Sequence, residues 1–468
     1  MLARAGPTYP ARAAHEENTA RMLDTRQPAV ADAKGACEDQ MPPELAPGVE
    51  LVGEMPETGF QERQWLVMRN GQFVQLSELL YRVCEYCDGQ RTLEQIAEAV
   101  SASTDWSLDA SQIGLLIDKK LAPLGLVWTD AHMVDAEGDR AASPLRLQLR
   151  TKAVGPAAVE PATRLLQVLF APALMVPVLG LAVAAHVWLY AVHGMSNTLL
   201  TMFRTPAAVL VVLPVLLVAM AFHELGHASA LRYGGGRVRS MGVGLYLIFP
   251  AFYTDTTDAY RLNRWARVRT DLGGFYFTLI FALGLIGLYA ATGLEVLLIP
   301  VLLLDLDVIY QCLPFVRLDG YWALADVTGI PDFFSLMAPF VASLAPKRGS
   351  AAARLPQLRR GARMVFLLYT LLVLPVLAVF VVLVLARVPW LLATTWDAEQ
   401  VQQQLFTLAL YAGDHGAAAL TIVQMLLLLL PALGCMYFLY SLGWPALRFA
   451  YRWSASRLAP ERAHGGAR

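Results

Sequence analysis

The chain has 468 residues, 56% of them hydrophobic and 16% charged, with a mean hydropathy of +0.46. That balance describes a polytopic membrane protein and excludes a single soluble globule. The formal net charge of -1 removes any bulk electrostatic affinity for nucleic acid, so no nucleic-acid partner is expected.

Residues 1–48 are rich in Ala, Pro, Glu and Arg without periodicity and read as a disordered tail. The first fifty residues hold no apolar core of the signal-peptide kind. Residues 49–130 read as a small soluble domain. Within it, 64–69 and 72–76 are short strands around an Asn70–Gly71 turn, a hairpin signal. Ser77 caps a helix with Leu79, Leu80, Val83, Cys84 and Cys87 inward, and Asp88–Gly89 ends it. Thr92 caps a second helix with Ile96, Ala99 and Val100 on its apolar face. Asp109 starts a third through Ile113, Leu116, Ile117 and Leu121, and 124–127 form a closing strand. A hairpin with three helices is a winged-helix-like α+β unit. Cys84 and Cys87 have CxxC spacing, but they stand mid-helix without a second pair, so they read as core packing rather than zinc ligands. The scattered set Cys37, Cys84, Cys87, Cys312 and Cys435 does not read as a disulfide framework. Residues 131–163 carry charges and Pro144, Pro156 and Pro161, and read as a linker.

Six segments that follow are long and apolar enough to span a bilayer: about 165–192, 206–231, 272–292, 295–316, 363–387 and 417–443. Internal prolines such as Pro172, Pro214, Pro300 and Pro375 are tolerated in helix bundles. Residues 164–335 read as a membrane core, 336–457 as a C-terminal transmembrane region and 458–468 as a basic tail. Arginine and lysine alternate between the loops. The loop after the second segment carries Arg232, Arg237, Arg239, Arg261, Arg264, Arg267 and Arg269, whereas 388–416 has no Lys or Arg. That asymmetry places both termini, and the N-terminal domain, on the cytoplasmic side.

Within the second segment lies His223-Glu224-Leu225-Gly226-His227, an HExxH sequence whose three polar side chains interrupt an apolar run. On a helix, His223 and His227 are one turn apart on one face, as two ligands of a catalytic zinc would be, with Glu224 beside them as a base. A chance HExxH is the competing reading. The cost of burying a carboxylate and two imidazoles at membrane depth weighs against it. His223 lies about 12 Å from the cytoplasmic end at Arg232. A third ligand is needed, and Asp319, at the cytoplasmic end of the fourth segment, falls in the same leaflet. Gly320 lets the backbone turn there.

The paired motifs, HExxH and a later Leu318-Asp319-Gly320, resemble the site-2 protease family of intramembrane zinc metallopeptidases. The stretches "LPFVRLDGYWALADVTGIPDFF" and "MGVGLYLIFPAFYTDTTDAYRLNRWARVRTDLGGFYFTLIFAL" are similar to its bacterial branch of peptide zinc metalloproteases, and the likeness covers about 165–335. The resemblance implies a polytopic α-helical fold with a site-2 protease core in a bacterial inner membrane. It implies Zn2+ held by His223, His227 and Asp319, with Glu224 as the catalytic base. Family members often carry Asn in a G-x-x-x-N pattern thought to contact substrate. Here Gly274 leads to Thr278, which keeps hydrogen-bonding capacity. Similarly, "FVQLSELLYRVCEYCDGQRTLEQIAEAV" resembles the PqqD-like domain, in which a strand edge pairs with a leader peptide.

The expected activity is zinc-dependent hydrolysis of a membrane-associated peptide or protein recruited by the N-terminal domain, a modified-peptide precursor being one class the resemblance implies. The rivals are a non-proteolytic zinc-containing peptide-binding or export partner, and a regulatory protease acting on a membrane-bound signalling protein. Residues 238–253, with Gly242, Gly244 and Pro250, are too short to span and read as a re-entrant hairpin. Its edge at 241–249 either holds an unwound substrate as an added strand, making Gly242 and Gly244 candidate substrate contacts, or only packs. Asp305 and Asp307 are intramembrane carboxylates on different sides of a helix without an assignable role. His186 and His193 read as packing or interfacial residues. Oligomeric state is not legible.

Overall fold

The computed structural model describes residues 42–55, 57–69, 72–128, 148–246, 249–313, 316–343 and 357–458. The expected Asn70–Gly71 turn and most of both tails lie outside these residues. The two strands flanking that turn are present as β3 (Trp65–Arg69) and β4 (Gln72–Leu76), paired antiparallel with Trp65 opposite Leu76. Two further strands escaped the sequence reading. β2 (Val49–Glu54) adds to β3, giving the order β2-β3-β4, and β1 (Glu44–Leu45) pairs with β5 (Val127–Trp128). The expected tail therefore ends earlier than residue 48, because Glu44 and Leu45 find backbone partners in the closing strand.

The three helices begin where the polar caps stand: α1 (Glu78–Tyr86), α2 (Leu93–Ser103) and α3 (Ala110–Leu116). Ser77 accepts from the amide of Leu80, while Thr92 and Asp109 each form a reciprocal capping box, with Gln95 and Gln112. Val67, Val74, Leu79, Val83, Ile96 and Ile113 close the core. On α2, Ala97 rather than Ala99 joins Ile96 and Val100 in it. Cys84 and Cys87 are both buried there, as small apolar residues would be.

Beyond residue 147 the chain is mostly helical. Of the linker expected at 131–163, residues 131–147 lie outside the described ones; the rest falls in β6 (Gln148–Val154) and the start of α4 (Pro156–Leu166). Next come α5 (Pro172–Val187), extended by a further turn to His193, α6 (Ser196–Arg204) and α7 (Val209–Tyr233). A hairpin of β7 (Met241–Tyr246) and β8 (Phe249–Thr254) leads to α8 (Arg264–Thr292). α9 (Leu298–Gln311), α10 (Asp319–Thr328) and α11 (Phe333–Ser343) precede two long helices, α12 (Arg360–Tyr411) and α13 (His415–Leu458).

Among the described residues, five stretches are long and apolar enough to cross a membrane: Pro172–His193, Val209–Tyr233, Arg264–Thr292, Arg360–Tyr411 and His415–Tyr440. Their outer faces are bare hydrocarbon, with Leu371 73% and Val382 63% exposed, so the chain needs an apolar solvent around them. The expected fourth span, 295–316, is corrected. Its helix α9 has 14 residues, about 21 Å, short of the roughly 30 Å of a bilayer core. Hydropathy sees an unbroken apolar run there, but the helix stops at Gln311 and the chain restarts one as α10. The expected loop 388–416 is corrected too. α12 runs 52 residues, about 78 Å, through Pro375 and Pro389, and turns only at Gly413, whose φ is +71.

The N-terminal domain sits on the membrane part. Tyr260 joins Met55, Leu66 and Phe73 in one buried cluster, and Arg261 pairs with Glu50 at 2.7 Å. Phe60, 1% exposed, lies in a cluster with Tyr321, Trp322 and Phe333, a burial that contributes roughly 2–3 kcal/mol.

Candidate metal centre

Helix α7 brings His223 and His227 to one face, and both are buried, as is Glu224. What permits this is glycine. A Cβ on Gly226 would stand 2.3 Å from the carbonyl oxygen of Gly273, and one on Gly273 would stand 2.7 Å from that of Gly226. With hydrogen at both positions, the backbones of α7 and α8 approach to contact. One residue further, Gly274 lies under the imidazoles. A Cβ there would meet Nε2 of His223 and Nε2 of His227, each at 2.4 Å.

Asp319 is the first residue of α10 and is fully buried. Gly320 has no positive φ; its role is space. A Cβ on it would strike the carbonyl of Gln311 at 2.7 Å and Cα of Cys312 at 2.8 Å. The start of α10 thus folds back onto the end of α9, which turns Asp319 inward. Its Oδ2 lies 2.9 Å from Nε2 of His223 and 3.0 Å from Nε2 of His227, and the two nitrogens are 3.0 Å apart.

Second partners orient both rings. Nδ1 of His227 donates to the carbonyl of Thr270 at 2.8 Å, which leaves a lone pair on its Nε2. Nδ1 of His223 faces the hydroxyl of Thr278 at 2.9 Å. With Nδ1 donating there as well, three lone-pair atoms converge within 3.0 Å of one another. Such a meeting is repulsive in a buried site unless a proton or a metal cation sits between them. Ligand atoms around a tetrahedral zinc are about 3.3 Å apart, given bonds near 2.0 Å, so the donor set and the room Gly274 leaves fit this metal. Among the described residues, this is the group of His, Cys, Asp and Glu side chains that could hold a metal.

Glu224 is one residue along the helix from His223, and its carbonyl accepts from Thr254 Oγ1 at 3.0 Å, tying the end of β8 to the same turn. Around α10, Arg317 pairs with Asp332 at 2.8 Å. The buried Arg267 of α8 donates to Asp326 at 3.0 Å.

The neighbouring residues singled out in the sequence have partners of their own. Thr278 is buried, and its hydroxyl faces Nδ1 of His223, so it orients a candidate ligand. Gly242 and Gly244 lie on β7, the middle strand of β6-β7-β8, with Gly242 opposite Lys152 on one side and Tyr253 on the other. Within the edge expected at 241–249, β6 pairs along Met241–Leu245. Nor are the histidines of α5 isolated. His186 lies 3.1 Å from Asp305, which also accepts from Tyr190 at 2.6 Å, and His193 lies 3.2 Å from the hydroxyl of Tyr289. Asp307 accepts from Gln311 at 2.6 Å. Thr270, Gly273 and Thr254 were missed as supports of the site. The small-residue spacing Gly226 against Gly273 and Gly274 was the available signal, but a helix crossing is not visible in one chain's periodicity.

The chain is 27% identical over 117 residues to "Putative peptide zinc metalloprotease protein YydH" of Bacillus subtilis (strain 168). The match covers 24% of this chain and 46% of that protein, so the chain spans under half the length of the relative it matches. No family profile matches the chain, and no solved structure matches it.

Proposed function

We propose that this chain is a membrane-embedded, zinc-dependent endopeptidase of the site-2 type. The observation that carries the reading is the convergence of Nε2 of His223, Nε2 of His227 and Oδ2 of Asp319 within 3.0 Å, with Glu224 on the adjoining helical position. His223, His227 and Asp319 would hold the zinc, leaving a position open, which is the pattern of catalytic rather than structural sites. When bound, zinc supplies Lewis-acid chemistry, polarising a carbonyl and acidifying water. Glu224 accepts the proton of the attacking water and returns it to the departing amine. Thr270 and Thr278 fix the two imidazoles, and the buried walls exclude bulk water.

The name carried by the Bacillus subtilis relative supports the same activity. Among the described residues the metal-capable group has three members, which favours this reading over an export partner with a closed four-ligand site. α9 and α10 act together as one broken crossing whose interruption delivers Asp319. Broken helices are tolerated at membrane depth where they line a site. The proposed setting is a bacterial inner membrane with both termini cytoplasmic; the arginine-rich segments around Arg232–Arg269 support a position for the site near the cytoplasmic side. The substrate is a membrane-associated peptide recruited by the PqqD-like domain at residues 49–130. It is held as a strand on the outer edge of β8, whose last residue is tied to Glu224.

The test is cleavage of membrane-associated peptides by the purified full-length chain, with bound zinc measured in parallel. Glu224→Gln should retain zinc and lose cleavage by at least about 100-fold. Cleavage surviving in that variant would refute the assignment.

A further inference from the structure

We propose that the loop at residues 57–61 of the N-terminal domain is a positioning element for Asp319. The domain would then be a working part of the metal centre as well as a recruiter of peptide. This rests on Asp319 being a metal ligand, as read above.

Helix α10 is short: ten residues, about 15 Å, from Asp319 to Thr328, capped by Gly329, whose φ is +70. Its far end is gripped by the N-terminal domain. The amide of Gly59 donates to the carbonyl of Gly329 at 2.8 Å. Neither partner has room for a side chain. A Cβ on Gly59 would stand 2.6 Å from the carbonyl of Thr328, and one on Gly329 would stand 2.5 Å from the nitrogen of Gly59. Backbone therefore meets backbone, with no flexible side chain between them to give way.

The near end is held through the same loop. Phe60 is buried in the cluster that contains Tyr321 and Trp322, the third and fourth residues of α10. The hydroxyl of Tyr321 donates to Asp332 at 2.9 Å, and Asp332 also holds Arg317 at 2.8 Å. Asp319 thus lies between two residues, 317 and 321, that share one carboxylate, and the ring of one of them lies in the cluster with Phe60.

The loop is itself fixed on both flanks. Arg359 donates its amide to the carbonyl of Gly59 at 2.9 Å and Nε to that of Phe60 at 3.0 Å, while Gln61 donates its amide to Gln357 at 2.7 Å. Glu57 has a φ of 59, a region non-glycine residues seldom occupy. Arg264, at the first position of α8, holds its carbonyl at 2.7 Å. α8 supplies Thr270, Gly274 and Thr278 to the site. The loop accordingly touches both elements that complete the metal centre around α7. A peptide that shifts this loop on binding the domain shifts Asp319 with it.

The test uses full-length protein in lipid nanodiscs with Co2+ as the probe, reading its visible absorption and its dissociation constant. The variants are Phe60→Ala, Phe60→Leu, Gly59→Ala and, as control, Arg261→Ala, which cuts the Glu50 ion pair elsewhere in the same interface. Expected are an altered cobalt spectrum and about tenfold weaker binding for Phe60→Ala and Gly59→Ala. Phe60→Leu should return most of the affinity, and the control should match the parent. Gly59→Ala carries the test if Phe60→Ala does not fold, since it leaves the buried ring intact. Parental spectra and affinities in both Phe60→Ala and Gly59→Ala would overturn the inference alone. A parent chain that takes up no cobalt would overturn it together with the metal reading.

Discussion

Gly274 has no side chain, yet it decides whether anything fits between His223 and His227. Adding one methyl puts carbon 2.4 Å from both ring nitrogens, while the remainder of α8 keeps its packing. Gly274→Ala should therefore lose bound zinc but keep parental helical content; the two are read by elemental analysis and circular dichroism on the same sample. Thr278 acts one bond further out. Thr278→Val removes the oxygen that steadies His223 and should weaken zinc binding about 10–100-fold, whereas Thr278→Ser should hold it within a few-fold. A chelator titration of the three proteins separates these outcomes. The cysteines of the N-terminal domain illustrate the opposite case. Burial pushes the Cys87 thiol up to about 12 and the Cys84 thiol well above its ordinary range, with the neighbouring thiol adding to the latter. Both stay protonated at neutral pH, so neither should react with iodoacetamide at pH 8 until the chain is unfolded. Labelling of either in the native protein would show a more open domain. The packing reading of this CxxC was available from sequence because no second pair accompanies it.

At the scale of elements, α7, α8 and α10 build the centre, and a buried charge pair joins two of them. Arg267 is wholly buried and Asp326 nearly so, and Arg267 Nε donates to the carboxylate at 3.0 Å. Removing one partner strands the other in an apolar interior. Asp326→Ala should therefore cost roughly 3–5 kcal/mol, and Arg267→Met with Asp326→Leu should recover much of it. Equal losses for the single and double variants in denaturant titrations would show that the loss does not come from a stranded charge. The elements also show what a sequence reveals. The helix starts at Ser77, Thr92 and Asp109 were legible because a polar cap is a local signal. So were His223 and His227, because one helical turn is a local spacing. β6 was not, since Gln148–Val154 gains its form from a partner some 90 residues away. The end of α9 was hidden for a related reason. Hydropathy averages over a window and cannot see that Gly320 must fold against Gln311.

For the whole molecule, the interface between the N-terminal domain and the membrane part is what separates this chain from a bare membrane site. Phe60 and Tyr260 anchor it from opposite sides, one in the cluster around α10 and one in the cluster under β3 and β4. Against the six crossings expected, five helices among the described residues are long and apolar enough to span, and α12 and α13 each outreach a bilayer. Asp319 was reachable from sequence by counting arginines in the loops, although the helix thought to end at it stops at Gln311 and another begins there. All of this converges on one claim: two imidazoles and one carboxylate, from α7 and the start of α10, bind zinc and leave it an open position. Zinc-edge X-ray absorption on the full-length protein tests that directly. The account expects a first shell of about four light atoms, with imidazole scattering from two histidines and no sulfur. A shell containing cysteine sulfur, or two imidazoles still present after His223→Ala, would contradict it.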